Sequence, residues 1–344
     1  MATYSETIAA IAEAARSREN ALPLLAECCR SRFFFHEQPT DRVCLFFHGF
    51  TSGPFQFEPM GTALFKAGYN VLVPLMPGHG QAGNWNRDQP PPLPTEIETY
   101  QKFALHWLEQ AQALGQQVIV GGLSGGGTIA AWLAFQQSRT IDRAVLFAPY
   151  FSSSSRLVDL FVRNSSSYFE WFSAEVAAKF PARGYNGFAV PALRTFLDLG
   201  NQVKDLAQHQ PSAPLFVISS EADIAVDRAD HRTLFEAALA NQPVSWYHCF
   251  NRVLEVPHNM MTTLEGNRWQ DLLYVMTKAF VESNLTWAEV EEIAYRMTEG
   301  KTFDQVVQEL GLQAKCSPDM PAMITMVDKR EIADRRNPCS VVTA

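Results

Sequence analysis

No window of this 344-residue sequence approaches the unbroken apolar length needed to cross a bilayer, and residues 1 to 30 lack the charged start and apolar run of a secretory signal. The expected location is cytoplasmic. Basic charge is scarce too: 28 Lys and Arg against 36 Asp and Glu leave a formal charge of -8, and no Lys/Arg stripe offers phosphate an attractive surface. This argues against a nucleic-acid partner, and the short basic runs Lys329-Arg330 and Arg335-Arg336 lie in a tail. The six cysteines (Cys28, Cys29, Cys44, Cys249, Cys316, Cys339) show neither C-x-x-C spacing nor the density of a disulfide scaffold. Reduced thiols are therefore expected, with no metal site, and Cys339 stands too far from the end for a prenylation box.

What the chain does have is a large apolar fraction, 47% hydrophobic against 19% charged, enough to bury the core of one large α/β domain or of two domains. Its most informative stretch is Val118 to Thr128, VIVGGLSGGGT, in which Gly122-Leu123-Ser124-Gly125-Gly126 joins a β-branched apolar segment to a small-residue helical one. G-x-S-x-G in that setting projects a serine from a sharp strand-to-helix turn, where side chains on the flanking residues would collide with neighbouring backbone. The following helix aims its unpaired N–H groups at the same point. Phosphate binding fits this run poorly, since no lysine follows for G-x-x-x-x-G-K-[ST] and no glycines match G-x-G-x-x-G.

Along the chain, Thr3 to Arg30 reads as helix, and Arg32 to His36 and Arg42 to Phe47 as strands joined by a turn at Pro39-Thr40-Asp41. Helix and strand then alternate: Gly61–Gly68, Tyr69–Pro74, Thr95–Leu114, Gln117–Val120, the helix after Ser124, Arg143–Phe147, Pro214–Ser219, Arg228–Leu239 and Val244–Phe250. Such alternation predicts a mostly parallel sheet with helices on both faces. The α/β core is expected over 1–149 and 213–283, including the N-terminal helix at 3–30. Residues 150–212 interrupt it with a stretch rich in aromatics from Phe151 to Phe196, Phe172 and Phe180 among them, and read as a cap. Residues 284–344 form a C-terminal extension. Capping boxes at Thr286 with Glu289 and Thr302 with Gln305 open two short helices closed by Gly300 and Gly311. Two short helices cannot hold a core alone and are expected to dock on the body; Leu312 to Ala344 is expected to be partly disordered.

A serine hydroxyl needs a base within hydrogen-bond reach and a third group to orient that base. The strand 214–219 ends at Ser220-Glu221-Ala222-Asp223 and the strand 244–250 leads to Val256-Pro257-His258, so Ser124, Asp223 and His258 follow the order serine, acid, histidine. Glu221 and Asp227 are live rivals for the acid. His36, His106, His209, His231 and His248 sit within helical, strand or cap segments and read as packing or surface residues. His48-Gly49-Phe50 lies just beyond an apolar strand, where a turn can present the Phe50 N–H as an oxyanion donor beside the N–H of Gly125. His48 itself suits orienting that turn.

Phe47-His48-Gly49-Phe50-Thr51, Pro77-Gly78-His79-Gly80, Gly122 to Gly127, Asp223 and His258 together resemble the α/β-hydrolase superfamily, and within it the bacterial carboxylesterases and monoacylglycerol-lipase-like enzymes, over about residues 40 to 282. The resemblance implies an α/β-hydrolase fold with a central eight-stranded sheet, Ser124, Asp223 and His258 as catalytic triad, and Phe50 and Gly125 as oxyanion donors. It departs at Gly125, where many relatives carry a larger residue, which implies a roomier pocket. The expected activity is hydrolysis of an apolar small-molecule ester through an acyl-enzyme, without metal or organic cofactor, with Phe50, Met260 and Met261 at the substrate pocket. The alternatives are a thioesterase, acyltransferase, amidase or peptidase using the same triad, or a hydrolase-like binding module without catalysis. The subunit count is left open.

Overall fold

A computed structural model describes residues 3–171 and 184–336. The chain opens with helix α1 (Tyr4–Asn20), where Thr3 and Glu6 cap each other and Ile11 and Ala15 are buried against the body. The helix stops short of the expected Arg30 because Pro23 follows, and the residue before a proline disfavours helical backbone. Strand β1 (Arg32–Phe34) and strand β2 (Thr40–Phe47) come next, then helix α2 (Glu58–Lys66) and strand β3 (Asn70–Val73). β1 and β2 are not partners. β1 runs antiparallel to β3 with Phe33 opposite Leu72, and β3 is parallel to β2 with Cys44 opposite Val71.

Helix α3 (Ile97–Gln112), strand β4 (Gly115–Leu123), helix α4 (Gly125–Gln136) and strand β5 (Arg143–Phe147) complete the first half. The chain then leaves the sheet through helix α5 (Arg156–Asn164), a two-stranded antiparallel pair, β6 (Tyr168–Glu170) with β7 (Gly187–Ala189), and helix α6 (Val190–His209). It returns as strand β8 (Leu215–Ser220), helix α7 (Arg228–Asn241), strand β9 (Trp246–Phe250) and helix α8 (Gln270–Glu282).

The sheet order is β1-β3-β2-β4-β5-β8-β9, parallel except for β1. Its strand count is seven among the described residues, not the eight implied by the resemblance, because the residues ahead of β1 form α1 and a 3-10 turn at Glu27–Cys29 rather than a further edge strand. β3, β5 and β8 are buried at every position, as parallel strands covered on both faces must be. α4 is likewise buried from Gly125 through Phe135; its glycines and alanines let the sheet, α3 and α6 approach closely.

β3 and β4 flank β2 on opposite sides, so the loops leaving the carboxyl ends of β2 and β4 diverge and open a crevice there. Phe47 of β2 stands opposite Gly122 of β4, which brings the turn after Phe47 beside Ser124.

Beyond α8, helix α9 (Trp287–Thr298) and helix α10 (Phe303–Leu310) each begin with a reciprocal capping box, and Gly311 closes the second in left-handed conformation at φ 66°. Helix α11 (Met320–Met326) and helix α12 (Lys329–Arg336) follow, so the described part of the 312–344 stretch expected to be partly disordered carries ordered helices, while residues 337–344 lie outside the described residues. The reason is burial: Val290, Ile293, Val306, Met320, Met323 and Ile324 join the same apolar core as the sheet. The Trp246 indole of β9 donates to the Leu285 carbonyl at 3.0 Å, tying the extension to the edge of the body.

Candidate active site

Ser124 has φ 54° and ψ -119°, a positive-φ conformation that costs a non-glycine residue on the order of 1–3 kcal/mol. Its surroundings hold it there. The Ser124 N–H donates to the Phe147 carbonyl at 3.0 Å, and the Ser124 carbonyl accepts from Tyr150 N at 3.1 Å and Thr128 N at 3.0 Å. A Cβ on Gly122 would stand 2.3 Å from the Gly126 carbonyl, and one on Gly126 would stand 2.1 Å from Phe47 O, so the G-x-S-x-G spacing is enforced by backbone on both sides.

The His258 ring lies between Ser124 and Asp223, with Nε2 2.9 Å from Ser124 Oγ and Nδ1 2.7 Å from Asp223 Oδ2. Asp223 follows β8 in a turn; its other carboxylate oxygen accepts from Ala225 N at 2.8 Å, and its side chain is 1% exposed. Burial alone would raise its pKa, but the His258 ring and the Ala225 N–H together hold it below the ordinary carboxylate value. The loop carrying His258 is anchored by Ser220 Oγ donating to Val256 O at 2.7 Å and by the Asn267 amide donating to Met260 O at 2.6 Å.

The rival acids are occupied elsewhere. Glu221 accepts from Arg252 N at 3.0 Å, and Asp227 caps α7 through Ala229 N at 2.8 Å. Among the other histidines, His231 is fully buried between Ser219 Oγ and the Pro149 carbonyl, and burial lowers its pKa to about 4. His36 stacks on Phe65, His106 packs on Trp107, His209 bonds the Asp205 carbonyl, and His248 is buried against Phe250. The N–H groups of Phe50 and Gly125 have no hydrogen-bond partner among the described residues.

Above Ser124 opens a cleft of about 960 Å³ lined by Phe50, Phe161, Phe169, Trp171, Tyr185, Phe188 and Phe196. Phe172 and Phe180 lie outside the described residues. The rim is apolar and open to solvent, with Ile224 82% and Leu264 64% exposed. Two expectations about the pocket need correction. Met260 and Met261 do not line the cleft but are buried in the main core, because the loop after His258 turns inward at that point while Leu264 and Glu265 face the opening. Nor does Gly125 leave room: a Cβ there would stand 2.9 Å from the Phe196 ring, so α6 has filled the space. Phe196 in turn packs against Phe50 at 5.3 Å and Tyr100 at 4.7 Å between ring centroids. Sequence marked Phe196 only as one aromatic in a rich segment; its pairing with Gly125 is a long-range contact without a local signal. The same holds for Gln56, whose amide joins Gly49 N at 2.7 Å to Glu265 at 2.7 Å. No group of three or more His, Cys, Asp or Glu among the described residues could hold a metal ion, and no helix there is long and apolar enough to cross a membrane.

Residues 43–242 match the family model described as alpha/beta hydrolase fold. A curated relative, the thermostable monoacylglycerol lipase of Bacillus sp. (strain H-257), is 33% identical over 101 residues, 26% of this chain and 34% of that protein. The chain thus aligns with about a third of that relative's length. Among solved structures, a metagenome-derived lipolytic enzyme superposes with a TM-score of 0.57 at 16% identity, covering 74% of this chain and 98% of that one. The monoacylglycerol lipase of Paleococcus ferrophilus superposes with a TM-score of 0.53 at 17% identity over 71% and 94% of the two chains. Identities this low speak for the fold alone. The family match spans more than half of the sequence and contains the strand, the Ser124 turn and the helix after it: the chain belongs to the alpha/beta hydrolase fold family.

Proposed function

We propose that this protein is a serine carboxylic ester hydrolase that acts on apolar esters through an acyl-enzyme. The observation that carries the reading is the unbroken hydrogen-bonded run from Asp223 through both nitrogens of His258 to Ser124 Oγ, at the floor of an apolar cleft. Asp223, held ionised, keeps the His258 proton on Nδ1, which leaves Nε2 free to accept from the hydroxyl. Ser124 Oγ bonds to the ester carbonyl carbon while Nε2 takes its proton. The carbonyl oxygen becomes negative and accepts from the N–H groups of Phe50 and Gly125, each such donor contributing about 3 kcal/mol to the transition state. The carbon–oxygen bond to the alcohol then breaks as Nε2 returns the proton to the leaving oxygen. Water repeats the sequence on the acyl-serine and releases the acid.

The aromatic lining and exposed apolar rim support short to medium chain esters or monoacylglycerols as substrates. The aligned relative named as a monoacylglycerol lipase supports the same class. The test is labelling of the protein with a fluorophosphonate and mapping of the modified peptide, together with assays on p-nitrophenyl esters, acyl-CoA thioesters and aminoacyl amides. Modification at Ser124 with ester turnover is expected. Turnover confined to thioesters or amides would replace the ester preference, and an unlabelled, inactive protein would leave a binding module.

A further inference from the structure

The turn that carries Phe50 is tied to the turn after β3 by two imidazoles arranged reciprocally. His48 sends Nδ1 to its own turn, 3.0 Å from the Gly49 carbonyl, while its Nε2 lies 3.1 Å from the N–H of Met76 in the other turn. His79 does the converse: Nδ1 is 3.0 Å from the Pro77 carbonyl, and Nε2 is 3.2 Å from the N–H of Thr51. Both rings are fully buried and meet edge to face at 5.1 Å.

A backbone N–H can only donate, so each Nε2 must accept and each proton must sit on Nδ1, where a carbonyl receives it. A proton added at either Nε2 would set two donors against each other. The remaining amides of the turn are committed as well: Gly49 N donates to Gln56 Oε1 at 2.7 Å and Ser52 N to Gly49 O at 3.1 Å. With Gly49, Thr51 and Ser52 all engaged, Phe50 contributes the one amide between Gly49 and Ser52 without a partner among the described residues. The Thr51 backbone is left-handed at φ 64°, and its N–H bond to His79, with the Tyr185 N–H on its carbonyl at 2.7 Å, helps hold that conformation.

We propose that His48 and His79 form a reciprocal brace of two Nδ1-protonated imidazoles that sets the direction of the Phe50 N–H, and that His79 is a positioning residue for acyl transfer at Ser124. The catalytic half rests on the serine hydrolase reading; the tautomer half stands without it. The titratable groups facing His79 are His48, Tyr100 and Tyr185, whose rings lie 5.1, 6.5 and 6.4 Å away between centroids. Burial keeps both phenols well above their ordinary pKa, so neither supplies an anion that would favour an imidazolium. Burial also lowers His79 to about 4 and His48 well below its ordinary value, which keeps the brace intact at neutral pH.

The experiment has two arms on the full-length protein. Nitrogen-15 NMR of histidine-labelled wild type at pH 7 is expected to show both buried rings as the Nδ1–H tautomer, assigned by loss of one signal set in each of His48→Gln and His79→Gln. In the kinetic arm, His79→Leu is expected to lower kcat on a p-nitrophenyl ester about 10- to 100-fold, part of the value of a whole oxyanion donor, with KM within about threefold. His79→Gln, whose amide oxygen can accept from Thr51 N, is expected to recover most of that loss. An Nε2–H tautomer at either ring overturns the brace, and His79→Leu with wild-type kcat overturns its catalytic role. Should wild type turn over no ester and resist labelling at Ser124, the hydrolase reading fails and takes the catalytic half with it, while the NMR arm still decides the brace.

Discussion

The two sides of Ser124 are built differently. Beneath and beside it, the elements are long parallel strands and a buried helix, and side chains such as His258, Asp223, His48, His79 and Gln56 each bond at two points. Above it stand α5 and a β6–β7 pair of three residues per strand, which present Leu157, Leu160, Phe161, Phe169 and Trp171 to solvent. The lower side over-determines geometry; the upper side offers area. On the proposed serine hydrolase reading, reaction geometry and substrate choice are separable, and substitutions below should act on kcat while substitutions above should act on KM.

The sharpest test of that division is at the nucleophile. Ser124→Ala is expected to lower kcat about 10⁶-fold without loss of fold, and Asp223→Asn about 10⁴-fold, measured by ester turnover with urea denaturation as control. If Ser124→Ala keeps its activity, the lower side is not where the chemistry is done.

Acid should loosen the lower side first. His79, His231 and His248 are buried and neutral, lowered by burial from an ordinary 6.5 to about 4. The unfolded chain takes up their protons below pH 6.5 while the folded one refuses them until about 4. Their contribution is thus complete above pH 6.5 and is lost as pH falls toward 4, by on the order of 1–2 kcal/mol for each at pH 5. Asp223, lowered in the fold, works in the same sense at lower pH: its contribution is present above its ordinary 3.8 and lost below. Urea midpoints at pH 7.5 and pH 5 check this; equal midpoints would mean that these rings are hydrated or charged in the fold.

Gly125 and Phe196 probe the seam between the two sides. Gly125→Ala is expected to lower kcat about 10- to 100-fold by pressing the new Cβ on the ring at 2.9 Å and shifting the amide beside Ser124. Phe196→Leu should relieve that loss in the double variant, and a cycle with no coupling would remove the pairing. The smallest effect belongs to the upper side: Trp171→Ala should raise KM for medium-chain esters a few-fold, about 1 kcal/mol, and leave kcat on an acetate ester unchanged. A fall in kcat instead would place Trp171, which donates to Thr51 Oγ1 at 3.1 Å, with the lower side.

Much of this molecule was legible in its residue order. Apolar runs bounded by turns located β2, β4, β5, β8 and β9 to within a few residues; in β5 and β8, covered on both faces, the run is buried along its whole length, and in β2 and β4 over the last five and six residues. The Thr286 and Thr302 capping boxes declared their helices, because cap and third residue are neighbours in sequence. Local signals failed where a partner is distant. The hydrophobic pattern of Arg32 to His36 says strand, but only assembly decided that it ends at Phe34 and pairs with β3 rather than β2. Met260 and Met261 look like pocket residues beside His258, yet the loop direction buries them.

By itself, the amino-acid order determined the alternation of helix and strand, the glycines that permit the turn at Ser124, and the succession Ser124, Asp223, His258. These depend on local sterics and on the rule that parallel strands end at one edge. Only the tertiary structure decided which carboxylate reaches His258, which ring fills the space beside Gly125 and which amides of the 48–52 turn are occupied. Each of those is a distance of a few ångström between residues far apart along the chain, and no local pattern encodes such a distance.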